Sequence, residues 1–290
     1  MYTGKRLNNR YEVLSKISIK GYRQKWLALN LENNNKVLIE TLHDDLINNV
    51  DAINSIRYEL EVSTKLSFPL FPVCIDTFNE ESRMYLVWEY FDNETLNQAY
   101  ANNVFHRKLD VEIIKFLIKI GKGIRYAFDK GILHGHINGH NVTLDEFLTP
   151  KLTNFSLNQS LEETDPGGYT LFSTSNLARD ETRQDLAPTL NSEFYALGMI
   201  GKILLTKEKD STKLKTKTTH TLNRQIDSGF SQVIDGLLTR NPTVQANAIS
   251  LLLDESFLDT YSTPVNGIPV VDFTKKKNRL FERLKPKNKK

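Results

Sequence analysis

The sequence predicts an α+β fold in which a strand-rich first part is followed by a mainly helical second part. Three observations predict it. Between Tyr11 and Tyr90 lie five short runs of β-branched, aromatic and aliphatic residues; a single helical period interrupts them; and beyond Asp92 helical periods dominate. A chain of 290 residues is long enough for one large domain or for two lobes around a common cleft.

Taken in order, the strands are "YEVLSKI", "QKWLALNL", "KVLIETL", "FPVCIDTFN" and "RMYLVWEY", with "LENNNK" as a polar turn between two of them. The helix among them is "VDAINSIRYELEVSTKL", where Ile53, Ile56, Leu60 and Leu66 recur at steps that fit one helical stripe. The second part opens with the amphipathic "DVEIIKFLIKIGKGIRYAFDKG", which Gly131 stops. Later helices are "SEFYALGMIGKILL", "FSQVIDGLLTR" and "VQANAISLLLDESFL". Between the first and second of these four, "NVTLD" and "PKLTNF" suit a small hairpin that carries residues toward a cleft. Residues 206–220, "TKEKDSTKLKTKTTH", read as a solvated loop whose Lys/Thr content also suits an acidic partner.

Hydrophobic residues make up 39% of the chain and charged residues 25%, ordinary globular usage. No stretch approaches the roughly 18 apolar residues of a membrane span, and "MYTGKRLNNRYEVL" lacks an apolar run with a cleavage site. A soluble, cytoplasmic protein is expected. Cys74 is the only cysteine, which excludes an internal disulfide and a cysteine-based zinc site. The net charge of +3 is uneven: residues 275–290 hold nine Lys/Arg against Glu282, whereas residues 1–274 carry 29 basic and 34 acidic residues. Leu280, Phe281 and Leu284 would lie on one side of a short helix in that tail. Such a segment binds an anionic partner (lipid, nucleic acid or an acidic protein) or is a disordered solubilising end.

The stretch "HGHINGHN", residues 134–141, carries three imidazoles in eight positions. A metal site is one reading, but no Glu or Cys completes the set. The aromatic run Tyr85, Trp88, Tyr90 and Phe91 reads as strand core in preference to a platform for bases.

The order of "RYEVLSKI", "KVLIETL", "YELEVSTKLSFP", "YLVWEYFDNETL", "HGHINGHN", "TNFS" and "NSEFYALGMIGKILLTKE" resembles the eukaryotic-type Ser/Thr protein kinase superfamily. The resemblance implies a bilobal fold with a small antiparallel-sheet N-lobe bearing one helix and a larger, mainly helical C-lobe. It divides the chain into an N-terminal extension (1–10), a kinase-like domain (11–259, with lobes 11–90 and 91–259) and a basic tail (260–290).

The family's chemistry is phosphoryl transfer, in which the protein positions ATP and neutralises charge. Its motifs are altered here. Ser18, Lys20 and Arg23 occupy the glycine positions of the phosphate-covering loop and Lys25 its valine position. Glu40 stands where the family has the ATP-holding Lys, while the helix Glu that pairs with that Lys is kept as Glu59. Two carboxylates about 4 Å apart repel by about 4 kcal/mol at an effective dielectric near 20, so Glu40 and Glu59 are expected to separate or to share a proton. His136 replaces the catalytic Asp and Asn138 the loop Lys. His134 is expected to pack against Phe155 as a core residue. Asn141 and Asn154 hold the metal-ligand positions with no formal charge between them. Leu38 and Trp88 enlarge the walls of the adenine site. The family's Glu–Arg pair of the late C-lobe is lost at both ends, near Ser175 or Asn176 and at Gln245. The activation segment is rich in hydroxyls (Ser160, Thr164, Tyr169, Thr170, Ser173, Thr174), which suits phosphorylation by another kinase.

These replacements together imply a pseudokinase with weak or absent ATP and Mg²⁺ binding, acting on a protein partner such as an active kinase or a complex component. Two alternatives stand beside it. One is an atypical enzyme using Glu40, Glu59, His136 and Asn141; the other is nucleic-acid or membrane binding through the tail.

Overall fold

Alternation of apolar and polar residues along the first ninety positions builds one antiparallel sheet and points its two faces at different cores. The computed structural model describes residues 1–20, 23–91, 94–145, 147–155, 172, 188–254 and 256–259, with the backbone alone for 18–20. The sheet comprises β1 (Arg6–Leu7), β2 (Tyr11–Lys20), β3 (Arg23–Asn30), β4 (Asn35–Leu42), β5 (Cys74–Glu80) and β6 (Arg83–Glu89), in the order β1-β2-β3-β4-β6-β5. Side chains two apart share a face. Val37 and Ile39 therefore join Tyr11, Val13, Trp26, Ala28, Tyr85 and Val87 in one cluster. Leu38 turns the other way, against Leu86, Trp88 and the helix α1 (Val50–Lys65). Glu40, two residues from Leu38, follows it to the helix side.

Asn49 caps α1, its side-chain oxygen accepting from the Ala52 N–H at 2.9 Å. The buried face of α1 is Ala52, Ser55, Ile56, Glu59 and Val62. The expected stripe is thus displaced: Ile53 and Leu60 are only half-buried, and Ser55 and Glu59 are buried in their place. A polar pair on the inner face hides the period from a purely apolar pattern. Val62 and Leu66 carry the helix into the larger core.

In the second part, β7 (Glu94–Thr95) leads into α2 (Leu96–Ala101), which Thr95 caps through the Gln98 N–H. The long α3 (Asp110–Asp129) ends before Gly131, whose φ of +74° is the left-handed stop the sequence predicts. The predicted hairpin is β8 (Val142–Leu144) with β9 (Pro150–Leu152), which forms a three-stranded sheet with β7. The remaining helices are α4 (Leu190–Thr206), α5 (Ser211–Thr216), α6 (Thr219–Leu222), α7 (Ser228–Leu237), α8 (Pro242–Leu253) and α9 (Ser256–Asp259). Leu117, Ile120, Ile124, Leu197, Ile200 and Leu204 join one core between α3 and α4. Gly123 is required in α3, because a Cβ there would meet the Leu70 Cβ at 2.8 Å.

The loop expected over 206–220 is corrected to two short helices. Asp210 caps α5 through the Thr212 and Lys213 N–H groups, and Leu214 is buried. Thr219 is fully buried, its hydroxyl donating to Asp235 at 2.7 Å. One Leu and one Thr among lysines are too weak a period to read in advance. Among the described residues no helix is long and apolar enough to cross a membrane. The hydroxyls named in the activation segment, Ser175, Asn176 and the whole tail lie outside the described residues.

Candidate functional site

The cleft is assembled from β3, β4 and α1 above and from the loop after α3 and the hairpin below. Lys25 and Glu40 are direct cross-strand partners. Strand periodicity puts Arg23 on the same face of β3 as Lys25. The Lys25 ammonium sits 2.7 Å from Glu40 Oε1, and an Arg23 guanidinium N–H lies 3.4 Å from Glu40 Oε2. The same guanidinium nitrogen is ion-paired with Glu59 of α1. Trp88 Nε1 donates to Glu40 Oε2 at 3.0 Å. Glu40 is 3% exposed and Glu59 5%. Burial pulls the Glu40 carboxyl up, but the attraction of Lys25 and Arg23, with hydrogen bonds from Lys25 and Trp88, outweighs it and holds it below the usual carboxylate range.

This corrects the expectation that Glu40 and Glu59 separate or share a proton. They remain together because Arg23, expected at a glycine position of the phosphate-covering loop, stands between them as a shared cation. Two positive groups face two negative ones, which leaves no lone buried charge.

Below, the loop and the end of the hairpin are tied by amides. Glu59 Oε1 accepts from the Asn154 N–H at 3.1 Å. The Asn154 side chain donates to Asn141 Oδ1 at 2.8 Å, and Asn141 donates to the His136 carbonyl at 3.1 Å. A His136 ring nitrogen, Nε2, lies 2.9 Å from the Asn154 carbonyl. Asn154 has a φ of +65°, a left-handed conformation that Asn tolerates. Asn138 turns inward, its oxygen accepting from the His140 and Asn141 N–H groups at 2.9 and 3.0 Å. Polar contacts thus run unbroken from Lys25 and Glu40 through Arg23, Glu59 and Asn154 to Asn141 and His136.

His134 packs as expected, its ring edge-on to Phe155 at 4.6 Å. Burial, with His136 nearby, holds its imidazole well below the usual value and therefore neutral. No group of three or more His, Cys, Asp or Glu suited to a metal occurs among the described residues. Tyr85, Trp88 and Phe91 are core, but Tyr90 is 42% exposed, with the Lys36 ammonium 5.6 Å from its ring centre. Leu38 is cross-strand to Trp88, and both belong to the cluster that includes Phe91. Behind them, bounded by Lys25, Glu40, Val62, Leu66 and Phe155 among others, is a cavity of ≈ 20 Å³, room for about one water. The side chains of Ser18 and Lys20 lie outside the described residues, although Lys20 pairs with Arg23 in the sheet. Gln245 is fully buried, and its amide donates to the Asn191 and Leu237 carbonyls at 2.9 and 2.7 Å.

Sequence reasoning missed Glu193. In the first turn of α4, its Oε1 accepts from the His134 N–H and from the Gly135 N–H at 2.8 Å, anchoring the start of the loop. Burial pushes its carboxyl up to about 7. The available signal was a carboxylate opening a helix that is otherwise almost wholly apolar, since such a residue is rarely buried unpaired.

The protein kinase domain family matches residues 12–257. Serine/threonine-protein kinase PrkC of Bacillus subtilis is 30% identical over 209 residues, covering 71% of this chain and 32% of the relative. Serine/threonine-protein kinase PLK4 of Nematostella vectensis is 22% identical over 271 residues, covering 88% and 27%. The chain thus spans about a third of the length of these relatives. The crystal structure of the PknI kinase domain of Mycobacterium tuberculosis, a cysteine-to-alanine variant, superposes with a TM-score of 0.62 at 15% identity, over 88% of this chain and 99% of that one. This likeness shows the bilobal fold. On the match across residues 12–257, this chain belongs to the protein kinase domain family.

Proposed function

We propose that this chain is a pseudokinase, keeping the kinase fold as a binding, scaffolding or allosteric platform without phosphoryl transfer. The observation that carries the reading is Arg23 set between Glu40 and Glu59, with Lys25 on Glu40. The cations that would face a triphosphate are already neutralised by carboxylates, so a bound nucleotide would have to displace buried ion pairs. The residues do not fit a magnesium nucleotide below the cleft either. Asn141 and Asn154 bring no carboxylate, and the Asn141 oxygen accepts from Asn154. Leu38, Trp88 and Phe91 close the wall where an adenine would lie.

The site is thus organised by its own side chains, and a two-lobed surface suits a protein partner, such as an active kinase or a member of a complex, in the cytoplasm. The basic segment 275–290 offers that partner, or an anionic surface, a second contact. Thermal unfolding with ATP and Mg²⁺ or Mn²⁺, run beside radiolabelled phosphate transfer, tests the reading. No saturable shift and no labelled product are expected. Labelled product that His136→Ala abolishes would overturn it in favour of an atypical Ser/Thr kinase, the second reading, which the relatives' names suggest. Pull-downs with and without residues 275–290 assign the tail.

A further inference from the structure

The outer side of α3 carries a stripe of cations. Lys115, Lys119, Lys122 and Arg125 recur at steps of four, three and three, and so stand one above another along one side of the helix. Lys115, Lys119 and Arg125 are exposed and Lys122 is half-buried, whereas Ile113, Leu117, Ile120 and Ile124 on the opposite side belong to the core. The stripe runs about 15 Å from Lys115 to Arg125, at 1.5 Å per residue. Two carboxylates share the face, and both are engaged: Glu112 accepts from the Leu109 N–H and pairs with Lys108, and Asp129 pairs with Arg125. Among the described residues neither Lys115 nor Lys119 enters an ion pair. The stripe also runs against the charge of the body, since residues 1–274 carry 29 basic and 34 acidic residues.

The helix along one edge of the stripe adds no charge of its own. A Cβ at position 121 would lie 3.1 Å from Leu253 Cδ2, which sets the end of α8 against the middle of α3, and Pro242–Leu253 contains no charged residue. Beyond Arg125 the surface turns apolar: Phe128 is 40% exposed, with the Arg125 guanidinium 5.9 Å from its ring centre. The described residues end at Asp259, six residues past the Leu253 that touches α3. The sequence then continues to the basic segment 275–290, where Leu280, Phe281 and Leu284 stand among nine Lys/Arg. The residues between Asp259 and that segment can span up to roughly 50 Å, enough for both basic elements to meet one surface.

We propose that this side of the C-lobe is a contact surface for an anionic membrane, with the α3 cations over the lipid phosphates and the apolar residues of the tail entering the acyl boundary. Two observations favour lipid over a nucleic acid. The cations stand on the outward side of a helix, where a plane meets all of them together. Phe128, Leu280, Phe281 and Leu284 gain nothing from a phosphate backbone, but they are stabilised in the headgroup and acyl boundary. Neither element is sufficient by itself, because a polybasic patch or a short apolar segment alone binds a membrane only weakly and reversibly. The proposal deepens the binding reading above by naming an anionic lipid surface as what the platform holds. It stands or falls separately from the absence of phosphoryl transfer, because its test measures partitioning alone.

Flotation of the full chain with vesicles tests it. Vesicles of phosphatidylcholine with one third phosphatidylglycerol are expected to bind at least about tenfold more tightly than phosphatidylcholine alone, and added salt is expected to weaken the binding. Each cation near an anionic surface is worth about fivefold in partitioning, so Lys115→Gln with Lys119→Gln is expected to weaken it roughly twenty-fivefold. Lys115→Arg with Lys119→Arg, which keeps the charge, is expected to bind as the unaltered chain does. Lys16→Gln with Lys36→Gln, at exposed positions on the N-lobe sheet, removes as much charge and is expected to change binding by less than about twofold. Leu280→Ser with Phe281→Ser is expected to weaken it about tenfold. Equal binding to neutral vesicles, an unchanged affinity in the α3 glutamine variant, or an equal loss in the N-lobe variant overturns the proposal. A short DNA duplex that binds more tightly than the anionic vesicles, and loses that binding through the same α3 changes, overturns it in favour of a nucleic acid. Unchanged binding in the Leu280 and Phe281 variant overturns the part assigned to the tail.

Discussion

Lys25 on β3 holds Glu40 on β4 at 2.7 Å, directly across the strand pair, with Arg23 two residues away tying the same carboxylate to Glu59 of α1. This four-residue arrangement fixes α1 against the sheet from within the protein.

Arg23→Met removes the shared cation and leaves Glu59 buried beside Glu40. Breaking a buried ion pair from one side costs about 3–5 kcal/mol, and a loss of that size is expected in denaturant unfolding. The double change Arg23→Met with Glu59→Gln is expected to cost clearly less than the two single losses added, since it also removes the orphaned charge. Strict additivity would show that Arg23 does not couple to Glu59.

Glu40→Lys is expected to destabilise the protein. Glu40→Lys places a third positive group beside Arg23 and Lys25 and deprives Trp88 Nε1 of its acceptor. Its melting temperature is expected to fall further than that of Glu40→Gln, which keeps an acceptor and adds no charge. No ATP-dependent stabilisation is expected from the lysine variant; a saturable ATP shift would show that the single residue at position 40 was what kept the nucleotide out.

Asn154→Asp exchanges a donor for an acceptor opposite Asn141 Oδ1, where the amide now donates at 2.8 Å. Two acceptors then face one another, so the variant is expected to melt below the unaltered chain in EDTA. Millimolar Mg²⁺ is expected to recover part of the loss, because a carboxylate and an amide oxygen together suit a hard cation. An equal Mg²⁺ response from the unaltered chain would show that its two amides already hold the metal.

Glu193 makes the loop anchor sensitive to pH. Its folded-state value is raised to about 7, above the ordinary carboxylate range, so the folded chain holds the proton more tightly than the unfolded one. The stabilisation from this group is complete below about 4.5, the range of an unperturbed Glu, and is lost as pH rises through about 7. Between pH 5 and pH 8 the unaltered chain is therefore expected to lose more unfolding free energy than Glu193→Gln, which cannot titrate. Parallel slopes for the two proteins would remove the effect.

Much of the fold was legible one segment at a time. The strand runs, the stop at Gly131, the hairpin and the placement of Glu40, Glu59, His136, Asn141 and Asn154 in one cleft all follow from local patterns and from motif order. The helices over 211–222 were not legible, because Asp210, Leu214 and Thr219 act through a cap, a single buried side chain and a contact with the distant Asp235. Glu193 escaped for a similar reason: its partners lie 59 and 58 residues earlier.

By itself the sequence determined the strand runs, the order of the segments and the residue types at Arg23, Lys25, Glu40 and Glu59. Tertiary structure alone decided that Arg23 and Lys25 share one face of β3 and what that face meets. Antiparallel register sets Lys25 opposite Glu40, and the packing of α1 brings Glu59 to Arg23, so two cations and two carboxylates from distant segments become one neutral cluster. The physical reason is that a charge's effect depends on its distance to other charges in a medium of low dielectric, and that distance is set by strand pairing and helix docking.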